Sequence, residues 1–485
     1  MAASPIKFGT SGWRGIIADD FTFANVRVAV AAIAQHVCSR NAKPALLVAH
    51  DTRFFSEEFA RTAALVLAEH GVRVLLSAGA TPTPAAAYEI RRSKIDGAIN
   101  FTASHNPAEY HGLKFSGVDG GPALPEVTRD IESRAAKLAS RARSNGTAFP
   151  SPHDSREFEQ IDPRPAYLHR LGELVCFDVI RGTDRAGGVR LAYDALHGCG
   201  AGYFDRALAE HGVVAHTIRA ARDVLFDGSG PDVSEANLAP LAKAIAEQKA
   251  QVGLATDGDA DRFGVMDDAG RYVSPNHILG LLYDYLLETR GWQLGAARSV
   301  ATSHLIDAVA KLRGFTVHET PVGFKYIGQL ILQGAIALGG EESAGLSIHG
   351  HLPEKDGILA CLLVAEMMAA RRASLDEQLR ELFRRVGREY WPLRSNLRLP
   401  DEVKARAVER MGGDFSTFLG RRVVSTNRTD GLQLAFDDGA WILMRLSGTE
   451  PLLRIYTEAA TREESARLAD GAREWVFAAA KGSKA

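Results

Sequence analysis

One short pattern recurs along the chain: Ala68-Glu69-His70-Gly71-Val72-Arg73-Val74, Ala209-Glu210-His211-Gly212-Val213-Val214 and, more faintly, Lys311-Leu312-Arg313-Gly314-Phe315-Thr316-Val317. Each copy reads as the end of a helix, a glycine stop and the start of a strand. Any helix–glycine–strand junction shares this outline, and an internal duplication explains it as well. Duplication is favoured because each copy is followed, after a later strand, by a loop bearing carboxylates or hydroxyls: at Ser104, at Asp257 and at Glu341. A chain built this way is α/β, with three similar units presenting equivalent loops to one cleft.

The first unit shows the alternation most fully. A helix is expected over Phe23 to Arg40, with Asn25, Arg27 and Gln35 on its wetter side, then a buried strand at Ala45 to Ala49. A second helix starts near Ser56, with Glu57 and Glu58 in its first turn, where the macrodipole favours anions. Strands follow at Val72 to Leu76 and Ile95 to Phe101, with Thr81-Pro82-Thr83-Pro84 opening a helix between them. This alternation argues for largely parallel pairing.

At 485 residues there is room for three or four domains of roughly 100–200 residues each. Polar, low-periodicity stretches at 140–162, 265–275 and 387–400 divide the chain into 1–150, 160–265, 266–386 and 390–485. The last region differs: Leu432 to Phe436, an Asp437-Asp438-Gly439 turn and Trp441 to Leu446 form a hairpin. Another strand and a C-terminal helix follow, an α+β module.

An apolar fraction of 46% and a charged fraction of 24% fit a soluble globular protein. A net charge of −2 supplies no basic field, so neither nucleic acid nor an anionic membrane is an expected partner. Cys38, Cys176, Cys199 and Cys361 are scattered without a CxxC pair and read as reduced thiols. No signal peptide is apparent and no apolar run is long enough to cross a bilayer, so a cytoplasmic location is expected.

Five loops carry chemistry. In Thr102-Ala103-Ser104-His105-Asn106-Pro107, a serine beside a histidine and ahead of Lys114 can carry a covalent intermediate, although the same residue types make ordinary turns. Asp257-Gly258-Asp259-Ala260-Asp261-Arg262 places three carboxylates at alternate positions after an apolar strand, a hard oxygen set suited to Mg²⁺. An EF-hand is excluded, because no closing glutamate and no preceding helix are present. Arg262 can hold an anionic oxygen beside the metal.

Gly339-Gly340-Glu341-Glu342-Ser343-Ala344-Gly345 follows a strand at Ala335 to Leu338. Its Glu341 and Ser343 can grip vicinal sugar hydroxyls, with Lys325 and Lys355 in flanking segments; a glycine-rich turn explains it equally well. Arg445-Leu446-Ser447-Gly448-Thr449-Glu450-Pro451, with Arg454 beyond, combines two arginines, two hydroxyls and an unhindered Gly448 N–H, a usual set for phosphate. Gly9-Thr10-Ser11-Gly12-Trp13-Arg14-Gly15 is the weakest, with Arg14 as an anion fork and a hairpin turn as an equal explanation.

With these loops in order, the chain resembles the α-D-phosphohexomutase family over nearly its full length. The resemblance implies three related α/β domains with mixed sheets plus a C-terminal α+β domain around a central cleft. It implies a phosphorylated Ser104, with Mg²⁺ held by Asp257, Asp259, Asp261 and the phosphate on Ser104. The Glu-Glu-Ser-Ala-Gly loop is similar to that of glucose-preferring members; dual-specificity and glucosamine members usually end it with histidine, where this chain has Gly345. Phe324-Lys325 points the same way. His111 stands where the family commonly has asparagine.

The expected activity is that of an isomerase moving phosphate reversibly between O1 and O6 of glucose, through a glucose 1,6-bisphosphate intermediate. Lys114 and His105 would move the hydroxyl proton, Arg14 and Arg262 would steady the moving group, and Arg445, Ser447, Gly448, Thr449 and Arg454 would anchor the resting phosphate. The partner is a hexose phosphate, and a monomer or homodimer is expected. Within the family, mannose is the alternative sugar. A serine hydrolase lacks a third residue to orient His105, and a non-catalytic relative would carry damage in the serine or acidic loop, which shows none.

Overall fold

The computed structural model describes residues 6–9, 12–145, 156–182, 188–446 and 452–481. They fall into two compact units, one drawn from Met1–Val273, Gly328–Gly334 and Ser343–Leu375, the other from Ser274–Ile327, Ala335–Glu342 and Asp376–Ala485.

The first unit holds two mixed sheets. The six-stranded one runs Trp13–Ile16, Tyr110–Ser116, Gly97–Phe101, Ala45–His50, Arg73–Ser77, Glu159–Ile161. Its first two pairings are antiparallel and the other three parallel. Helices on both faces explain why the central strands are continuous apolar runs. Leu46, Val48, Ile99 and Phe101 enter the core under the Phe23–Cys38 and Ser56–Glu69 helices, while Leu47, Ala49 and Ala98 enter the opposite core with Ile90. The Phe23–Cys38 helix is capped by Thr22, whose hydroxyl accepts the Asn25 N–H at 3.2 Å. Asn25, Arg27 and Gln35 are half-buried on its outer side.

The four-stranded sheet runs Phe263–Met266, Val252–Thr256, Leu191–Asp194, Ala215–Ile218, antiparallel in the first pair and parallel in the next two. The Gly357–Arg371 helix, buried almost throughout, belongs to the same unit. Asp356 caps it, accepting Leu359 N–H at 2.8 Å.

In the second unit, Gly295–Ser299 pairs in parallel with Val317–Thr320 and Ile336–Glu341. An antiparallel sheet runs Trp391–Arg398, Leu452–Ala459, Trp441–Leu446, Leu432–Phe436, Arg421–Asn427, Thr417–Phe418. Its apolar face packs under the Asp401–Met411 and Arg462–Lys481 helices around Ile442, Ile455, Leu468 and Val476. Trp441, Leu443 and Tyr456 meet Val300 and Ala301 on the other face.

The strand expected at Ala335 to Leu338 continues through Gly339 and Gly340 to Glu341. A Cβ at Gly339 would lie 2.2 Å from Ile327 Cγ2, and one at Gly340 would lie 2.3 Å from Leu279 Cδ2. These glycines let helices approach both faces of a strand; they do not make a turn. The recurring junctions do end helices: Gly71, Gly212 and Gly314 take φ of 79°, 74° and 79°, a left-handed conformation natural to glycine.

Candidate active site

The loop between strands Gly97–Phe101 and Tyr110–Ser116 carries Ser104 in a left-handed conformation (φ 53°). A non-glycine residue there is held by its surroundings. Its N–H donates to Thr102 Oγ1 at 2.9 Å, and its hydroxyl donates to Asp257 Oδ2 at 2.6 Å. The serine and acidic loops therefore meet.

Asp257, Asp259 and Asp261 are all buried, with one oxygen of each within 4.8 Å of the others. Two lysines cross them. Lys114 Nζ lies 2.5 Å from Asp259 Oδ2 and 2.6 Å from Asp261 Oδ2, and Lys355 Nζ lies 2.8 Å from Asp261 Oδ2. Thr83 Oγ1 also donates to Asp259 Oδ2 and receives Asn100 Nδ2 at 3.0 Å. Asp259 Oδ1 and Asp261 Oδ1 are buried with no hydrogen-bond partner among the described residues. An all-oxygen set with two uncommitted buried oxygens fits a hard divalent cation such as Mg²⁺.

Charge sorts these groups. Burial, reinforced by Asp259 and Asp261, pushes the Asp257 carboxyl up to about 8. Burial also opposes ionisation of Asp261, but Lys114 and Lys355 outweigh it and hold that carboxyl well below its usual range. Burial opposes the charge on Lys114 too, yet Asp259 and Asp261 raise it, so Lys114 stays an ammonium. Burial, then Arg262 and Arg14, push His105 well below its ordinary value, so its imidazole is neutral, with Nδ1 buried and without a hydrogen-bond partner among the described residues. Of the two groups expected to share one proton-transfer task, His105 is thus held neutral and Lys114 charged.

Arg262 donates its backbone N–H to Asp257 Oδ1 at 3.0 Å, and its Nε is 4.0 Å from Asp261 Oδ1. Arg14 donates to Asn106 Oδ1, and burial followed by the Arg262 charge lowers it to about 10. Ser343 is half-buried in the turn before strand Gly345–Ile348; Lys355 lies at the start of the Gly357–Arg371 helix. A Cβ on Gly345 would fall 2.2 Å from Lys355 Cδ. The lysine stem fills the space a larger residue would need.

The second unit brings together the remaining candidates. Glu341 Oε1 accepts Gly323 N–H at 2.7 Å, and Lys325 follows at the start of helix Phe324–Leu332. Asp430 bridges this segment to Arg445: Oδ2 accepts Val322 N–H at 3.0 Å, and Oδ1 lies 2.8 Å from Arg445 Nε. Arg445 and Arg454 are direct cross-strand partners. Like charges placed opposite each other repel unless anions lie nearby, which suits a phosphate site. Ser447, Gly448 and Thr449 lie outside the described residues.

Sequence reasoning missed Asp51, Arg53, Thr83, Asn100 and Asp430. A signal was present for Arg53: Asp51-Thr52-Arg53 directly follows a buried strand, the same position as the loops that were found.

Phosphoglucomutase/phosphomannomutase α/β/α domains I, II and III match residues 5–142, 165–270 and 274–386, and the C-terminal domain matches 395–474. A phosphoglucosamine mutase from Kineococcus radiotolerans is 33% identical over 96% of this chain and 96% of its own length. A phosphoglucomutase from Komagataeibacter xylinus is 29% identical over 95% of this chain and 88% of its own. The solved structure of a phosphomannomutase candidate from Thermus thermophilus superposes with a TM-score of 0.84 at 32% identity, covering 98% of this chain and 99% of its own.

Proposed function

The chain belongs to the phosphoglucomutase/phosphomannomutase family, whose members are phosphohexomutases, and from that premise we propose that it is a phosphoglucomutase. It would interconvert glucose 1-phosphate and glucose 6-phosphate through a phosphoserine at Ser104 and a glucose 1,6-bisphosphate intermediate. The observation carrying this reading is the 2.6 Å hydrogen bond between Ser104 Oγ and Asp257 within a buried acidic loop.

In the forward half-reaction the bond from phosphorus to Ser104 Oγ breaks and one to the free sugar hydroxyl forms. The hydroxyl proton passes to neutral His105, and the departing serine oxygen takes one from Lys114. After the bisphosphate turns end for end, its other phosphate returns to Ser104 and the protons go back. Asp257, Asp259 and Asp261, with a phosphate oxygen on Ser104, would hold Mg²⁺, which when bound neutralises charge on the phosphoryl oxygens. Arg14 and Arg262 steady the moving group. Glu341, Ser343 and Lys325 are assigned to the sugar, Lys355 to the sugar phosphate, and Arg445, Ser447, Gly448, Thr449 and Arg454 to the resting phosphate.

Gly345 supports glucose as the sugar. Histidine, with which dual-specificity and glucosamine members usually end this loop, would require the Lys355 stem to shift. The test is a coupled assay with Mg²⁺ and a trace of the matching bisphosphate, comparing glucose, mannose and glucosamine 1-phosphates. The reading requires kcat/KM highest for glucose 1-phosphate; a higher value for another sugar reassigns the specificity. Release of free phosphate without isomerised sugar would overturn the mutase assignment.

A further inference from the structure

The mechanism above gives no role to the most thoroughly engaged cation in the first unit. Arg53 is fully buried, and all five of its side-chain N–H groups have acceptors. Nη1 donates to Pro107 O at 2.8 Å and Tyr110 O at 3.0 Å; Nη2 donates to Ser104 O at 2.7 Å and Asn106 O at 2.5 Å. Nε donates to Asp51 Oδ2 at 3.2 Å. Four of the five bonds therefore end on backbone carbonyls of the segment that presents Ser104.

We propose that Arg53 is the positioning residue of the nucleophile loop: its guanidinium fixes residues 104–110 so that Ser104 Oγ faces Asp257 and Asn106 faces Arg14. The proposal rests on Ser104 being the phosphoryl carrier. A planar fork of five donors suits this task because it sets four carbonyls in one rigid frame, which a point charge cannot. The loop needs such a frame. Ser104 is held at φ 53°, against its intrinsic preference, and residues 103–108 lie outside the strands on either side.

Arg53 is itself fixed from behind. Asp51 Oδ1 accepts both the Arg53 backbone N–H at 2.9 Å and the Ser56 hydroxyl at 2.8 Å. The Phe226 ring covers the guanidinium, with its centroid 5.0 Å from Cζ. Arg222 donates to the backbone carbonyls of Thr52 and Arg53 and pairs with Glu57. The frame is thus tied to the 52–57 segment on one side and to the nucleophile loop on the other.

The test compares the full-length, magnesium-loaded enzyme with Arg53→Lys and Arg53→Ala, following hydrogen exchange at the amides of 103–110, kcat and KM separately, and rescue of Arg53→Ala by added guanidinium ion. We expect both variants to fold, with kcat reduced about 100-fold, the effect of misplacing reacting groups by about 1 Å. KM for the sugar phosphate should stay within about threefold, and loop amides should exchange at least about tenfold faster; guanidinium should restore part of the loss in Arg53→Ala only. If Arg53→Lys keeps kcat within threefold and loop exchange is unchanged, the proposal is overturned while the mutase reading stands. If neither variant folds, Arg53 serves global stability and the proposal is again overturned. If the unmodified chain isomerises no hexose phosphate, the mutase reading fails, and the exchange comparison, which needs no substrate, still decides whether Arg53 orders the loop.

Discussion

Ser104 Oγ donates to Asp257 Oδ2 at 2.6 Å, joining two loops 153 residues apart. Replacing Ser104 with alanine removes both the proposed phosphoryl acceptor and this contact. Turnover should fall by at least about ten-thousandfold, the scale of losing a covalent nucleophile, and intact-mass analysis after incubation with glucose 1,6-bisphosphate should show no phosphoryl gain. A Ser104→Ala protein that still isomerises would sink the phosphoserine scheme.

Chelation should abolish turnover and added Mg²⁺ should restore it. An ion that binds only the folded chain also stabilises it, by about 2.7 kcal/mol at a hundredfold excess over Kd. Urea midpoints with and without Mg²⁺ read this directly. In Asp259→Asn the magnesium increment should largely vanish, and stability without metal should drop by about 3 kcal/mol, because Lys114 loses a partner in a site where its side chain is 7% exposed. An unchanged magnesium increment in Asp259→Asn would remove that residue from the metal set.

Much of this site was legible because its chemistry sits directly after buried strands, where a polar loop stands out against an apolar run. Ser104 and the 257–262 loop were found in that way. Arg53 escaped notice although Asp51-Thr52-Arg53 also follows a buried strand, because four of its five bonds end on backbone carbonyls, which leave no mark on residue type. Thr83 acts through a single hydroxyl on Asp259, 176 residues away, and Asn100 through an amide on that hydroxyl. Glu341 was found, but its setting was misread: Gly339 and Gly340 looked like turn residues, whereas the packing of Ile327 and Leu279 requires them inside a strand.

Gly345 and Lys355 are coupled by space. Gly345→Ala should push the Lys355 stem away from Asp261 and lower kcat/KM for glucose 1-phosphate about tenfold, a loss of about 1.4 kcal/mol in transition-state stabilisation. Adding the same change to Lys355→Ala should do almost nothing more, since the obstacle is already gone. Additive losses in the double variant would show that Gly345 acts by another route.

His111 makes stability depend on pH. Gly112 N–H donates to its Nδ1 at 2.9 Å, leaving the proton on Nε2, 3.1 Å from Ser56 Oγ, and the ring stacks on Phe21. Burial lowers it to about 4, while in the unfolded chain it titrates near ~6.5. Between those values the unfolded state binds the extra proton, so stability is full above ~6.5 and is lost as pH falls toward ~4, by about 3 kcal/mol from this group. Urea unfolding across that range should show a shallower slope for His111→Asn than for the parent; equal slopes would refute the assignment.

Lys114 and Lys355, laid across Asp259 and Asp261, make the acidic pocket behave as an ion-exchange resin. Its negative charge is already balanced by tethered ammonium groups, so the polypeptide can bury these carboxylates at synthesis, whatever the local supply of minerals. Loading of a divalent ion there would therefore be a swap of counterions, its equilibrium set by how readily two anchored amines step aside.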